Sequence, residues 1–187
     1  MKRLKYFTMG GILFVLITGS LAHFLYDWSG NNLIIGLFSP VSESIWEHMK
    51  LIFFPMAVYS CFMFFSCRNT YPCIASSLCL GNLTGTLLIP VFFYAYSTIL
   101  GRDVFILDII TFFLSTLIAF YIVYKYTLPR LQRKYAIIIY GLTAVMLLCF
   151  LLFTYQPPSL PIFANPAVLL IPHTLVPFSS CHCPLFI

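Results

Sequence analysis

Five long runs of apolar residues, separated by short polar segments, make up most of the chain. As an α-helix that rises about 1.5 Å per residue, each run is long enough to cross the apolar core of a lipid bilayer, which is about 30 Å thick. The pattern therefore predicts an all-α protein, a polytopic transmembrane helical bundle of five spans. The predicted spans are residues 6–26, 46–66, 73–97, 104–124 and 135–155.

The segment between the first two spans is too short to cross a bilayer. The sequence SGNN at residues 29–32 predicts a turn, and LIIGLF at residues 33–38 predicts an interfacial or re-entrant loop. Ser39 and Pro40 then offer one helix start, because proline suits the first turn of a helix. The sequence SIWE at residues 44–47 offers a second start, as a capping box.

The third span contains two glycines four residues apart, within the sequence GNLTG. Small residues at this spacing let two membrane helices approach closely, and a side-chain amide between them can hydrogen-bond across the contact. We therefore assign Gly81, Asn82 and Gly85 to helix packing rather than to ligand binding.

The end of the chain has a different character from the rest. Residues 156–187 contain seven prolines and no charged residue, a proline density that excludes a membrane helix. The sequence therefore predicts a single transmembrane domain, residues 1–156, followed by a proline-rich apolar tail, residues 157–187. We expect the tail to be poorly ordered outside the bilayer or loosely associated with its outer surface.

The composition supports a membrane protein and excludes a soluble one. Hydrophobic residues form 61% of the chain and charged residues only 8%, whereas in a soluble protein about a quarter of all residues are charged. The chain has ten basic and five acidic residues, and this positive net charge would also fit nucleic-acid binding. However, the basic residues lie in short runs between apolar segments, which is a topology signal, so we expect no nucleic-acid partner.

Basic residues are concentrated on one side of the predicted bundle, which by the positive-inside rule is the cytoplasmic side. Only Lys50 and Arg102 lie on the other side, so we predict a multi-pass protein of the cell membrane with its N terminus in the cytoplasm and its C terminus outside. A signal peptide cleaved after the sequence SLA at residues 20–22 is the alternative for the first span, but the apolar run continues to residue 25. The basic residues on the cytoplasmic side are Lys2, Arg3, Lys5, Arg68, Lys125, Arg130, Arg133 and Lys134.

All five acidic residues lie near the predicted outer side, together with two histidines. An ionisable group at membrane depth costs roughly 2.5–3.5 kcal/mol on insertion scales, so such groups usually face protein or a water-filled cavity. We therefore predict an outward-facing polar pocket that binds an ion, a proton or a small polar solute, for binding or transport. For Asp27, Arg102 and Asp103, a purely interfacial role is the favoured interpretation. The candidate pocket residues are His23, Asp27, Glu43, Glu47, His48, Lys50 and Asp108.

Two alternative functions remain open. Imidazoles and carboxylates together can hold a divalent metal with an open position for water, so such a cofactor at His23, Asp27, Glu47 and His48 would make a membrane-embedded metal-dependent hydrolase. The sequence lacks HExxH spacing, a nucleotide-binding loop, a GxSxG elbow and a redox CxxC, so an enzyme is not the favoured interpretation. The other alternative is a non-catalytic membrane subunit that binds a partner protein through residues 33–38. A five-helix transporter would need to form a homo-oligomer.

Three stretches carry a family resemblance: HFLYDWSGNN, GLFSPVSESIWEHMKLIFFPM and LPIFANP. Through them the chain resembles an uncharacterised domain-of-unknown-function family, of the DUF6512 type, of small multi-pass bacterial membrane proteins. The resemblance extends from about residue 6 to residue 166, and SPVSESIWEHMKL is its most specific part. It implies a membrane location and a polytopic helical structure, and it implies no activity.

The resemblance stops at Asn165 and Pro166. Sequences similar to that family look to end with a TGTYG-like sequence shortly after an NP or DP dipeptide. Here the NP dipeptide is followed by a different sequence of 21 residues. We therefore expect a change of reading frame near Pro166, or an unusual terminus. Resequencing of the coding region and the mass of the intact protein test this hypothesis.

Overall fold

The computed structural model describes residues 2–127 and 135–165, and within these ranges the chain forms helices and no strands. In chain order the elements are α1 (Lys2–Trp28), α2 (Leu33–Gly36), α3 (Ile45–Cys67), α4 (Ile74–Leu100), α5 (Phe105–Thr127), α6 (Ala136–Phe153) and a 3-10 turn (Pro161–Phe163). All of the α-helices except α2 are long and apolar enough to cross a membrane. The predicted all-α bundle of five spans is therefore confirmed, and the chain has the features of a multi-pass membrane protein.

α3 is the central helix of this bundle. It packs against α1 and α4, and the 3-10 turn lies against its start. α5 completes the bundle by packing on α4 and α1, whereas α6 contacts α4. Accordingly, α3 buries large side chains along its length, such as Phe53, Met56 and Met63, while α6 leaves most of its apolar residues exposed.

The glycines of the third span lie where α4 meets α5. A Cβ atom at Gly81 would lie 2.5 Å from the Val123 side chain and 2.7 Å from the carbonyl oxygen of Ala119. At Gly85 it would lie 2.7 Å from the Ala119 Cβ atom. Asn82 points to the other neighbour, α3, and its Nδ2 donates a hydrogen bond to a backbone carbonyl there at 3.2 Å. The GNLTG segment therefore holds α4 between two helices.

We predict that Gly81→Ala lowers the free energy of unfolding by about 1–3 kcal/mol, because the added methyl group overpacks a contact that includes backbone. Gly141 in α6 is the matched control, since nothing lies within 4 Å of a Cβ atom placed there. Gly141→Ala should leave stability unchanged or raise it slightly. Thermal unfolding of both variants in detergent, followed by circular dichroism, measures the difference. Equal stability of the two variants would contradict the prediction.

The contact between α1 and α3 depends on a proline and a glycine. Pro55 lies inside α3 and has no N–H, so the carbonyl group of Leu51 lacks its usual helical donor. This carbonyl faces α1 at Gly19, where a Cβ atom would approach the oxygen to 2.5 Å. Only a glycine in α1 allows this close approach.

Capping residues set where α2 and α3 begin. The Asn32 side-chain oxygen accepts a hydrogen bond from the backbone N–H of Ile34 at 2.9 Å. Ser44 Oγ accepts one from the backbone N–H of Glu47 at 3.3 Å, so α3 uses the second of the two helix starts that the sequence offers. The Glu47 carboxylate, instead of reaching back to Ser44, accepts from the backbone N–H of Val41 at 3.0 Å.

The first residues of the proline-rich tail pack against the bundle. The Phe163 ring lies 4.9 Å from the Trp46 ring of α3 and 5.7 Å from the Phe153 ring of α6. Pro161 occupies the first position of the 3-10 turn, where the missing backbone N–H of proline has no helical partner to lose. This part of the tail is therefore attached more firmly than the sequence predicts. Residues 166–187 lie outside the described residues, and so does the expected change of reading frame.

Candidate functional site

A cavity of about 760 Å³ lies at the end of the bundle where α1 and α4 end and α3 and α5 begin. These four helices line it together with Glu43, which belongs to the link between α2 and α3 (residues 37–44). Its volume falls in the range of small-molecule sites, about 300–1,000 Å³. The polar side chains in its wall are Ser20, His23, Glu43, His48, Asp103, Asp108, Thr111 and Asn165.

Three of these side chains, which we call the triad, converge on one point in the wall. The triad consists of His23, Glu43 and His48. The Nε2 atoms of the two histidines are 3.3 Å apart, and Glu43 Oε2 lies 3.7 Å from His23 Nε2 and 3.5 Å from His48 Nε2. A tetrahedral metal ion with bonds of about 2.0–2.2 Å separates its ligand atoms by about 3.3–3.6 Å. The triad thus has the dimensions of one face of such a coordination sphere.

A backbone carbonyl fixes the orientation of the His48 ring. His48 Nδ1 lies 2.9 Å from the carbonyl oxygen of Ser44, one helical turn earlier. A carbonyl only accepts, so Nδ1 carries a proton, and in the neutral imidazole Nε2 then presents a lone pair to the other two members of the triad. Metal-binding histidines commonly have such a partner on the second ring nitrogen, because it sets the tautomer and the ring angle.

The other two members of the triad come from the end of α1 and from the link. His23 is near the end of α1 and its ring meets the His48 ring edge-on at 5.2 Å. The Glu43 side chain is 63% exposed and belongs to the link rather than to a helix. A single proton between the two Nε2 atoms satisfies both rings, and a bound cation would take the place of that proton.

A pair of aspartates lies in the wall of the same cavity. Asp103 precedes α5, and Asp108 lies in its first turn. The Tyr96 hydroxyl of α4 lies 2.9 Å from Asp103 Oδ1 and also hydrogen-bonds to Asp108 Oδ1. A hydroxyl has one proton to donate, so these three oxygens together can hold an additional proton. The two aspartates and the triad therefore face the same cavity.

Glu47 and Lys50 form a separate buried pair that does not line the cavity. Lys50 Nζ donates to Glu47 Oε2 at 2.7 Å, to Thr154 Oγ1 at 2.7 Å and to the carbonyl oxygen of Gly36 at 3.1 Å. The Lys50 side chain is 0% exposed and that of Glu47 is 4% exposed. This pair therefore ties α3 to α2 and to the end of α6.

The predicted pocket residues thus divide into three groups. His23, Glu43, His48 and Asp108 share the cavity. Glu47 and Lys50 are in the buried pair, and Asp27 is exposed near the end of α1 and does not line the cavity. Of the four metal ligands that the sequence suggests, the structure brings together His23 and His48, and Glu43 occupies the place expected for Glu47 or Asp27.

Sequence reasoning missed two residues at this site: Asp103, which lines the cavity, and Tyr96, which bonds to both aspartates without lining it. Tyr96, which connects the two aspartates, was indistinguishable from the aromatic residues that anchor membrane proteins at the interface. The only signal for its role is its position, seven residues before Asp103 and across a turn. The sequence favours an interfacial role for Asp103, whereas the structure places it in the cavity wall.

The model of one protein family matches residues 1–169 of the chain, and that family is described as a family of unknown function, DUF6512. No curated protein and no solved structure matches the chain.

Proposed function

This chain belongs to the DUF6512 family of unknown function, and we propose that it is a membrane protein that binds a divalent transition-metal ion through the triad of His23, Glu43 and His48. The observation that supports this most directly is the triangle of one carboxylate oxygen and two imidazole nitrogens, with no side longer than 3.7 Å. The oriented His48 ring adds to it, because the contact of Nδ1 with the Ser44 carbonyl oxygen directs Nε2 into the triangle.

The donor set suits zinc better than magnesium or calcium. Two imidazoles and one carboxylate form the ligand set of catalytic zinc sites and of non-haem iron(II) sites, whereas the alkaline-earth ions prefer oxygen ligands alone. Three protein ligands also leave a coordination position open towards the cavity. We therefore propose zinc, in a site where the ion can exchange ligands rather than in a closed structural site.

The excess of basic residues at the other end of the bundle favours a cavity that opens to the outside of the cell. In that orientation the N terminus and the first residues of α1 lie in the cytoplasm, and His23 and His48 lie near the outer surface. The ion would then be taken from the extracytoplasmic space.

Metal-assisted hydrolysis is a second candidate function, and the aspartate pair favours it. A carboxylate close to a metal ion with an open position can accept the proton of an attacking water, while the ion polarises the bond to be cleaved. Asp108 lies in the wall of the same cavity as the triad. Binding of the metal ion is common to both candidate functions and is therefore tested first.

The metal content of the full-length protein in detergent tests the proposal. The protein is incubated with zinc and desalted, and its zinc content is measured by inductively coupled plasma mass spectrometry. We expect about one zinc ion per chain in the wild type and at least about tenfold less in Glu43→Gln and His48→Ala. Asp27→Asn is the matched control, an exposed acid on α1 outside the cavity, and should retain the ion. Size-exclusion profiles show whether the variants are folded. Equal zinc in all four proteins, or none in the wild type, would refute the site.

A further inference from the structure

Part of the cavity wall consists of apolar side chains that are also exposed on the outside of the bundle. Phe24 of α1 is 52% exposed, and Phe105 and Ile109 of α5 are 76% and 51% exposed. These three residues, which we call the rim, therefore belong both to the cavity wall and to the exposed surface of α1 and α5. Around a membrane-spanning bundle, the surroundings of an exposed apolar rim are lipid chains rather than water.

The gap between α1 and α5 is short, because the two helices close against each other one turn further along. A Cβ atom at Gly19 would lie 2.7 Å from the ring of Phe112 and 2.5 Å from the Leu51 carbonyl oxygen. Phe112 and Leu51 also line the cavity, so they form its floor. An exit between α1 and α5 would therefore lie at the level of the triad.

The inside of the cavity is amphipathic. Its deeper wall is mostly apolar, with Leu51, Ile89 and Phe93 beside Ser20 and Thr111, while the triad and the aspartate pair supply the ionisable groups. A small water-soluble substrate would leave this apolar wall and the rim without partners. A molecule with one polar group and an alkyl chain matches both parts at once.

We propose that the cavity binds a single-chain fatty-acyl amphiphile from the bilayer, with its polar group at the triad and its chain leaving between α1 and α5 across the rim. The proposal rests on the metal site proposed above, since the ion would hold the polar group. The charges favour a carboxylate, an ester or an amide as that group. A phosphate dianion would bring two negative charges to a wall that already holds three carboxyl groups, those of Glu43, Asp103 and Asp108.

Alkyl hydroxamates, which coordinate zinc, are suitable probes because their chain length can be varied. Binding of acetohydroxamate and decanohydroxamate to the full-length, zinc-loaded protein is measured by calorimetry in one detergent. Decanohydroxamate is expected to bind more tightly, and the double variant Phe24→Ala/Ile109→Ala should weaken it about tenfold while acetohydroxamate binding stays unchanged. The control double variant Phe65→Ala/Ile137→Ala removes two exposed apolar side chains away from the cavity, 67% and 84% exposed, and should bind both probes like the wild type.

Zinc content measured on the same samples separates this proposal from the metal site. If zinc is bound but the chain length has no effect, or if the control variant loses as much affinity as the rim variant, the amphiphile proposal is wrong and the metal site stands. If the wild type holds no zinc, the metal site is wrong. The amphiphile proposal is then wrong as well, because the group meant to hold the head group is missing.

Discussion

Lys50→Met is expected to lower the free energy of unfolding by about 3–5 kcal/mol, the cost of breaking a buried ion pair by removing one partner. Lys50 is fully buried, and all three protons of its ammonium group have acceptors: a carboxylate, a hydroxyl and a backbone carbonyl. Methionine fills similar space but leaves the Glu47 carboxylate in the bundle without a counter-charge. The Glu47 carboxylate then keeps the hydrogen bond from the backbone N–H of Val41.

Two variants show whether the loss comes from the unpaired charge. Glu47→Gln/Lys50→Met removes both charges and should recover much of the lost stability, because a neutral buried pair carries no desolvated charge. Lys5→Met makes the same chemical change at an exposed position and should alter stability by less than about 0.5 kcal/mol. Unfolding in sodium dodecyl sulfate, followed by circular dichroism, gives the free energies. A Lys50→Met protein as stable as Lys5→Met would mean that the pair is hydrated rather than buried.

The buried pair also positions the cavity. The Glu47 carboxylate holds the backbone of Val41, and Lys50 holds the carbonyl of Gly36, so the link between α2 and α3 is fixed at its start and near its middle. Glu43 follows Val41 by two residues on this link. Two adjacent residues of α3 thus have different tasks: Glu47 fixes the link that carries Glu43, and His48 meets Glu43 in the triad.

The fold could be predicted from the sequence because one variable dominates it. In a bilayer every backbone polar group must be bonded within a helix, so the length of an apolar run determines a span almost without reference to the rest of the chain. The choice between the two starts of α3 could not be predicted in this way. Both Ser39 and Ser44 suit a helix start, and the structure uses Ser44, with Ser39 buried and bonded to the carbonyl of Ile35 instead.

The site was predictable in depth but not in direction. Helix polarity places His23, His48 and Asp108 at the same end of the bundle, and the structure brings them into one cavity. Glu47 and His48 are adjacent and point about 100° apart on the helix, and the sequence alone does not say which one faces the core. Glu43 lies outside any helix, so periodicity gives no direction for its side chain. Its place in the triad follows from the buried pair and the link, which are tertiary features.

Zinc is expected to stabilise the metal-free protein against unfolding, because an ion that binds only the folded state shifts the folding equilibrium. At a free concentration 100 times its dissociation constant, the gain is about 2.7 kcal/mol. In Glu43→Gln or His48→Ala, a dissociation constant raised about 100-fold would reduce this gain to about 0.4 kcal/mol. Magnesium at the same concentration should have no such effect, since imidazole is a poor ligand for it. The measurement is the unfolding temperature in detergent with and without each ion, after removal of metal by a chelator.

Asp27→Asn is the control, because it removes an acid from the same end of α1 without touching the triad, and it should gain as much stability from zinc as the wild type. Other potential zinc ligands in the chain are His173, Cys181, His182 and Cys183. All the variants keep these residues, so zinc bound there would act equally on every protein. Equal stabilisation of Glu43→Gln, His48→Ala and the wild type would therefore place the ion outside the triad. Stabilisation of the wild type and Asp27→Asn alone would place it at His23, Glu43 and His48.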